Sequence, residues 1–544
     1  MNEKVKENLK VIIIALAIAI FACVPYLQET SIDGDDISYH ISRFASIAEE
    51  LKLGNFPIAI HSSLLEGLGY ANSIFYPELF LYIPALLLLC GLEIFKTYTV
   101  FIIIINFATV LITYYSAKHI FKSKEKAWIT TLMYTLATYR LGDIFVRAAL
   151  GEVIAFTFLP LILAGLYEII IGDNKKWWLV CFGIWGIVNS HIITCALMLV
   201  CIMLICLMNI NRIFADKNRL KNLVIAGIVS IVFAIGFLLP YLEQKKNDDF
   251  KMDVYNNSFY LYDSASTLQE LLGDKLEGIG DTFSKGLFIL FIPLLIFKCK
   301  KLDYKKDPFV IQCFILGAIS LILSTKLMPW KYMEFLQIIQ FPFRFSTLTM
   351  LFMSFVIGYV VSEVFETKDA KYILMIIFIF MVSKQLYAVN PNVSGLPGDQ
   401  IIKRSQIGAE EYLPVNFDYK KWYVFNLETP KDKIKYTQTG NRIEFDYNDS
   451  EHEFKLHVPL TYYKGYVAKI ETTNGETIDL NLEKDNEYGQ LIISYPEKIS
   501  GKVVVEYKNT GIQIFAVILK IVSITGLTAY VIYSAKKEKN TNVK

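Results

Sequence analysis

The chain has 544 residues, 54% of them hydrophobic, with a mean hydropathy of +0.40 and a formal net charge of +2. A composition this apolar, with long apolar runs recurring from end to end, excludes an ordinary soluble enzyme and fits a polytopic α-helical membrane protein. A charge this close to neutral gives no reason to expect a nucleic-acid partner; the partner the apolar composition implies is the lipid bilayer.

In chain order the apolar segments fall near 9–27, 98–117, 127–141, 153–172, 177–190, 191–209, 222–240, 284–298, 309–325, 342–363, 371–388 and 511–533. A further stretch, 78–94, is short, broken by Pro84 and flanked by Glu78 and Glu93, so the expected total is about 12–13 transmembrane helices. If 78–94 dips in without crossing, the short loops 1–10, 118–126, 173–176, 210–221, 298–307, 364–371 and the tail share one side and hold 24 Lys and Arg. The opposite short loops, 28–77, 140–152, 241–283 and 326–344, hold 11, which makes the first set cytoplasmic. The same parity breaks 177–209 into two helices turning at Asn189, Ser190 and His191. The first segment ends in Q-E-T-S without a small-x-small site, so it is expected to stay as an uncleaved helix.

Beyond about residue 389 the long apolar runs give way to alternating stretches such as R-I-E-F-D-Y (442–447), E-F-K-L-H-V (453–458), L-I-I-S-Y (491–495) and K-V-V-V-E-Y (502–507), separated by turn residues. The expected organisation is a transmembrane domain over 1–388 with outer loops 28–77 and 139–152, then an extracytoplasmic β-sandwich-like domain over 389–510. A final transmembrane helix over 511–533 and a basic cytoplasmic tail over 534–544 complete it. All eight cysteines lie outside the β-domain, which is therefore expected to hold without a disulfide.

The polar residues worth attention converge on the outer loops. The first carries D-G-D-D-I-S-Y-H-I-S-R (33–43), with Asp36, His40 and Arg43 at i, i+4 and i+7, on one face if helical. The second carries Arg140, Asp143 and Arg147 at i, i+3 and i+7, followed by Glu152. Tyr70, Tyr76, His191 and the run Q-F-P-F-R-F holding Gln340 and Arg344 complete the set. Arginines suit an anionic substrate group and a carboxylate suits proton removal from a hydroxyl. Each also has a structural reading: a solvated loop for the aspartates, a mutual ion pair for Asp143 and Arg147, a helix-end residue for His191, lipid-headgroup contact for Arg344. Asp33, Asp35 and Asp36 offer oxygens to a divalent ion, but no His or Cys ligand spacing accompanies them, so no metal or other cofactor is expected.

The order of D-x-x-x-H (36–40), G-N-F-P (54–57), G-Y (69–70), F-Y-P (75–77), Y-R-x-x-D (139–143), R-A-A-L-G-E (147–152), S-H (190–191), Q-F-P-F-R-F (340–345) and Y-Y-K-G-Y (462–466) resembles bacterial YfhO-like and "6-pyruvoyl-tetrahydropterin synthase-related" membrane proteins. The resemblance implies the GT-C glycosyltransferase superfamily. It further implies a polyprenyl-phosphate-linked sugar donor, an acceptor in the cell envelope and a site on the extracytoplasmic face of the cell membrane. The catalytic carboxylate would be Asp36, with the adjacent Asp35 as the alternative, and Arg147 or Arg344 would hold the lipid phosphate. The doubled carboxylate departs from the usual pattern and leaves that assignment open. A polyprenyl-lipid or glycan transporter and a non-catalytic envelope-assembly protein are the rival readings. Against the first, no paired halves with matching interrupted helices and no nucleotide-binding G-x-x-x-x-G-K-[ST] run are visible.

Overall fold

The computed structural model describes residues 3–27, 34–255, 258–267, 308–365, 367–388, 407–408, 410–418, 427–428, 433–448 and 452–543. The first helix, α1 (Glu3–Phe21), buries Val11, Ala15 and Ala19 at four-residue spacing, whereas Ile12, Ile13, Leu16 and Ile20 stay exposed. One narrow stripe of mostly small side chains therefore packs on the bundle, and the rest is left for lipid. The chain then turns at Ala22–Cys23 and re-forms one short turn, Val24–Leu27, so the segment expected over 9–27 is interrupted near its end. Helix α2 (Ile37–Lys52) follows. The stretch 78–94 yields only a 3₁₀ turn and α3 (Tyr82–Leu89), about 12 Å of α-helix at 1.5 Å per residue and too short for a hydrocarbon core of about 30 Å.

Helix α4 (Ile94–Phe121) opens on Glu93, whose carboxylate accepts from the Phe95 and Lys96 amides at 3.1 Å each, a cap that also suits the helix dipole. The segment expected over 127–141 is two helices, α5 (Lys124–Thr135) and α6 (Thr138–Phe145). The break has a cause: Ala137 is extended, and the Thr135 carbonyl accepts from the Arg140 guanidinium at 3.2 Å. The next crossing bends where Pro160 enters, giving α7 (Leu150–Phe156) and α8 (Leu159–Ile170). Helices α9 (Trp178–Val188) and α10 (Ile192–Met208) are separated at Asn189–His191, where the charge parity places the turn. Helix α11 (Lys217–Asn247), α12 (Pro308–Leu323), α13 (Ser346–Val364) and α14 (Lys368–Ala388) complete the bundle. The expected segment 284–298 lies outside the described residues.

Among the described residues, six stretches, 94–121, 150–170, 217–247, 342–364, 368–387 and 511–537, are long and apolar enough to cross a membrane. The other described apolar helices are shorter, and the chain is a polytopic helical membrane protein. Helix α13 is buried nearly all round and packs against α12 and α5.

The described strands β1 (Tyr436–Thr439), β2 (Arg442–Tyr447), β3 (Phe454–Thr461), β4 (Tyr466–Thr472), β5 (Thr477–Asp479), β6 (Asn481–Lys484), β7 (Gln490–Tyr495) and β8 (Gly501–Tyr507) make two antiparallel sheets, ordered β1-β2-β8-β4-β5 and β3-β7-β6. Their inward residues, among them Ile443, Phe445, Leu456, Val458, Ile470, Leu491, Ile493, Val503 and Val505, form one core, as expected of a two-sheet sandwich. Gly440 at φ +59 and Asn441 make the tight turn joining β1 (Tyr436–Thr439) to β2 (Arg442–Tyr447). Strand β4 (Tyr466–Thr472) sits between β8 and β5 although its sequence alternates less cleanly. The loop after α2 packs against this domain: Ala59, Ile60, Ala71, Ile74 and Phe75 join its core. The Thr461 amide donates to the Leu68 carbonyl at 2.8 Å, and Asn509 donates to the Pro57 carbonyl at 2.8 Å. The domain returns to the bundle through α15 (Gly511–Val543), which packs along α11.

Candidate active site

Glu152, in the first turn of α7, is 1% exposed and gathers partners from three elements. Its Oε1 accepts from the Tyr139 hydroxyl at 2.8 Å and the Thr347 hydroxyl at 2.9 Å, and its Oε2 from Arg147 at 3.0 Å. The Arg344 Nε stands 3.7 Å from the same oxygen. A buried carboxylate with this many donors is held ionised and in place, and it supplies the counter-charge both arginines need. Arg344 also donates to the Ile339 carbonyl at 2.9 Å and to the Gln340 side chain at 2.6 Å. Its awkward place in the first turn before α13 is therefore offset by Glu152 and these two acceptors, while its Nε remains without a hydrogen bond.

Arg147 also donates to Asp143 at 2.7 Å, one helical turn earlier, and lies over the Phe343 ring at 4.9 Å. The other Asp143 oxygen is buried without a partner. Burial, and then repulsion from Glu152, push the Asp143 pKa well above the usual carboxylate value despite Arg147, so the neutral acid is favoured. Two arginines thus face one ionised, fully engaged carboxylate, which leaves a surplus of positive charge suited to an anion such as phosphate.

Asp36 stands at the edge of this cluster. Its amide donates to the Arg147 carbonyl at 2.8 Å and that of Asp35 to the Val146 carbonyl at 3.0 Å, pinning the first loop against the second. The approach is close: a Cβ on Gly34 would lie 2.7 Å from the Ala148 Cβ, which explains the glycine inside D-G-D-D. Although Asp36 occupies the N-cap of α2, its side chain makes no capping bond. It is exposed to solvent on one side and packed by protein on the other. Lost hydration raises its pKa above the ordinary carboxylate value, with Arg147 and Arg344 pulling the other way. A solvent-reachable carboxylate with raised basicity beside excess positive charge is equipped to take a proton from a hydroxyl. Asp35 is exposed as well, and Asp33 lies outside the described residues.

His40 and Arg43 point the other way along α2, into the protein. Arg43, 1% exposed, donates from Nε to Glu78 at 2.8 Å and to the Pro77 carbonyl at 2.9 Å, lies 3.1 Å from His40 Nδ1, and covers the Tyr76 ring at 4.3 Å. The Leu150 amide donates to His40 Nε2 at 3.2 Å. Burial, reinforced by Arg43, holds the His40 pKa well below its usual value, so it serves as a neutral strut between α2 and the start of α7. Glu78 is the second hub: besides Arg43 it contacts His61 at 2.9 Å, Asn72 at 2.5 Å and the Ser73 hydroxyl. Burial works to raise its pKa, but His61 and Arg43 outweigh that and hold it well below the ordinary value.

The structure thus brings Asp36, Asp143, Arg147, Glu152, Gln340 and Arg344 together, with Tyr76 and His191 within electrostatic reach. The His191 side chain caps α10 by accepting from the Thr194 amide at 3.3 Å. Besides His40 and Arg43, two more expected residues lie elsewhere. Tyr70 is fully buried against Tyr412, rings 5.7 Å apart, under the β-domain. Arg140 is fully buried and donates to Thr135 and Thr109 rather than into the cluster. Sequence reasoning missed Glu78, His61, Asn72, Tyr139 and Thr347. For Glu78 a signal existed, a carboxylate directly after F-Y-P and before an apolar run, where only a buried cation makes it tolerable. Among the described residues, no three His, Cys, Asp or Glu side chains gather as a metal-ligand set.

No family model matches the chain. An uncharacterized protein of Lactococcus lactis subsp. cremoris (strain MG1363) is 26% identical over 358 residues, which cover 60% of this chain. The match spans 55% of that relative's own length. Among solved structures, the arabinofuranosyltransferase AftD from Mycobacteria aligns with a TM-score of 0.45 and 11% identity, over 70% of this chain and 27% of AftD.

Proposed function

We propose that the chain is a membrane glycosyltransferase of the GT-C type that moves a sugar from a polyprenyl-phosphate-linked donor to a cell-envelope acceptor on the extracytoplasmic face. The observation that carries this reading is Asp36: an accessible carboxylate with raised basicity, free of a capping bond, at the edge of a buried pair of arginines. In the proposed step Asp36 takes the proton from an acceptor hydroxyl. The hydroxyl oxygen bonds to the anomeric carbon as the bond from that carbon to the lipid-phosphate oxygen breaks, with inversion, and the phosphate leaves with the electron pair. Arg147 and Arg344 would bind the departing phosphate, whose geometry suits the guanidinium fork. Removal of a general base of this kind costs about 10²–10⁴ in rate. The β-domain, packed directly on the first loop, would orient a polymeric acceptor.

The test is sugar transfer in proteoliposomes supplied with a panel of polyprenyl-phosphate sugars and envelope-derived acceptors. Wild type should transfer, Asp36→Asn should not, and Asp35→Asn should. Loss with Asp35→Asn alone moves the base by one residue; transfer by both variants rejects the mechanism.

A further inference from the structure

The connection between α12 and α13 contains three short 3₁₀ turns, Trp330–Tyr332, Glu334–Ile339 and Pro342–Phe345. A 3₁₀ helix has three residues per turn, so side chains at i and i+3 eclipse. Phe335 and Ile338 obey that spacing and are each 75% exposed; Tyr332, one step earlier, is 86% exposed. These values match or exceed those of side chains on helices of membrane-crossing length, such as Ile231 at 60% and Phe380 at 71%.

The other side of the connection is anchored. Trp330 is fully buried, its indole N–H donates to the Thr325 carbonyl at 3.0 Å, and Ile339 is buried as well. Lys326 and Lys331 both place their ammonium groups over the Tyr262 ring, at 5.1 and 4.5 Å. The result is a fixed apolar edge flanked by two cations, with Gln340 and Arg344 directly after it. An apolar edge beside lysines is the pattern of a segment lying in a membrane interface, where the apolar side chains enter the acyl region and the cations meet anionic headgroups.

We propose that residues 327–338 form an interfacial wedge whose Phe335 and Ile338 insert into the leaflet on the Asp36 side of the membrane. Tyr332 and the two lysines lie at headgroup level. The occupant of this edge is the bilayer itself. By rooting the segment that leads into Gln340 and Arg344, the wedge sets the height of the arginine cluster at the lipid–water boundary, where a lipid-borne phosphate would arrive. The wedge rests on exposure, spacing, the buried anchor and the flanking lysines, none of which depends on the glycosyltransferase reading, so it stands or falls separately from it.

The test is site-directed spin labelling of the full chain in phosphatidylglycerol–phosphatidylethanolamine vesicles. Cys90, which is exposed, is replaced by serine, and single cysteines are introduced at Phe335, Ile338 and, as a water-facing control, Asn474. The signal of the same protein without an introduced cysteine is subtracted. The expected result is that labels at 335 and 338 collide with oxygen several-fold more than with a polar nickel chelate, with the reverse at 474. Collision dominated by the nickel chelate at 335 and 338 would place the edge in water. Protection from both reagents would place it against a second copy or another protein. Either result overturns the proposal.

Discussion

Replacing Glu152 by glutamine probes the charge balance of the cluster most sharply. Glutamine keeps a carbonyl for the Tyr139 and Thr347 hydroxyls, 2.8 and 2.9 Å from Oε1, but removes the charge that faces Arg147 at 3.0 Å and Arg344 at 3.7 Å. Arg147 keeps its hydrogen bond to Asp143 at 2.7 Å, but with the neutral acid favoured there both guanidiniums lose their counter-charge. A buried guanidinium left without its counter-charge costs about 3–5 kcal/mol. Asp143→Asn removes one bond to a group whose neutral form is already favoured, with one oxygen unpartnered, and should cost about 1 kcal/mol. Thr347→Val, which deletes a single hydroxyl donor, should fall in the same range of about 1 kcal/mol. Denaturant titration of the detergent-purified variants under one set of conditions, followed by tryptophan fluorescence, ranks the three. If Asp143→Asn destabilises as much as Glu152→Gln, the charge balance rests on Asp143 and the argument for a surplus of positive charge fails.

The remaining expectations concern titration, phosphate and topology. Because Asp36 has a raised pKa, its base form is lost as pH falls, and the acid limb of a transfer-rate profile should lie above about 4, the ordinary carboxylate value; a limb at or below that value would contradict the assignment. Glu78 is held ionised below its ordinary range, so its contribution is fully present above about pH 4.3 and lost as pH falls towards its depressed folded value. Wild type should therefore lose more stability than Glu78→Gln between about pH 6 and 3, and an equal loss would rule Glu78 out as the source. Arg344→Lys should keep part of the donor affinity and Arg344→Ala little, because only the guanidinium offers a two-pronged contact; equal donor binding by both, measured on purified protein, would leave Arg147 as the phosphate ligand. An impermeant thiol reagent should label Asn474→Cys from outside intact cells and leave Ser123→Cys untouched, and the opposite pattern would invert the topology.

How much of this was legible in the sequence differs from element to element. Long uniform apolar runs such as 98–117, 222–240 and 511–533 announced their helices because nothing in them competes with the helical period. The run over 127–141 misled for a physical reason: hydropathy does not register that a buried arginine just past the break takes a main-chain carbonyl and lets the helix stop at Thr135. Strands with strict alternation, 442–447 and 502–507, could be read directly, whereas β4 could not, since its register is set by its neighbours. In the site, the four-residue spacing linked Asp143 to Arg147 along one helix face. It could not reach further, because Glu152, Arg344 and Thr347 meet only through tertiary packing. Spacing alone also put His40 and Arg43 on a face with Asp36, although the two are turned inward to Leu150 and Glu78.

The measurement that tests the central claim most directly is a comparison of cell-envelope glycans in a strain lacking this protein, complemented with wild type or with Asp36→Asn at equal membrane abundance. A transferase whose base is Asp36 predicts that a defined sugar substituent disappears on deletion, returns with wild type and stays absent with Asp36→Asn. Full restoration by Asp36→Asn would contradict catalysis at this site and leave a non-enzymatic part in envelope assembly.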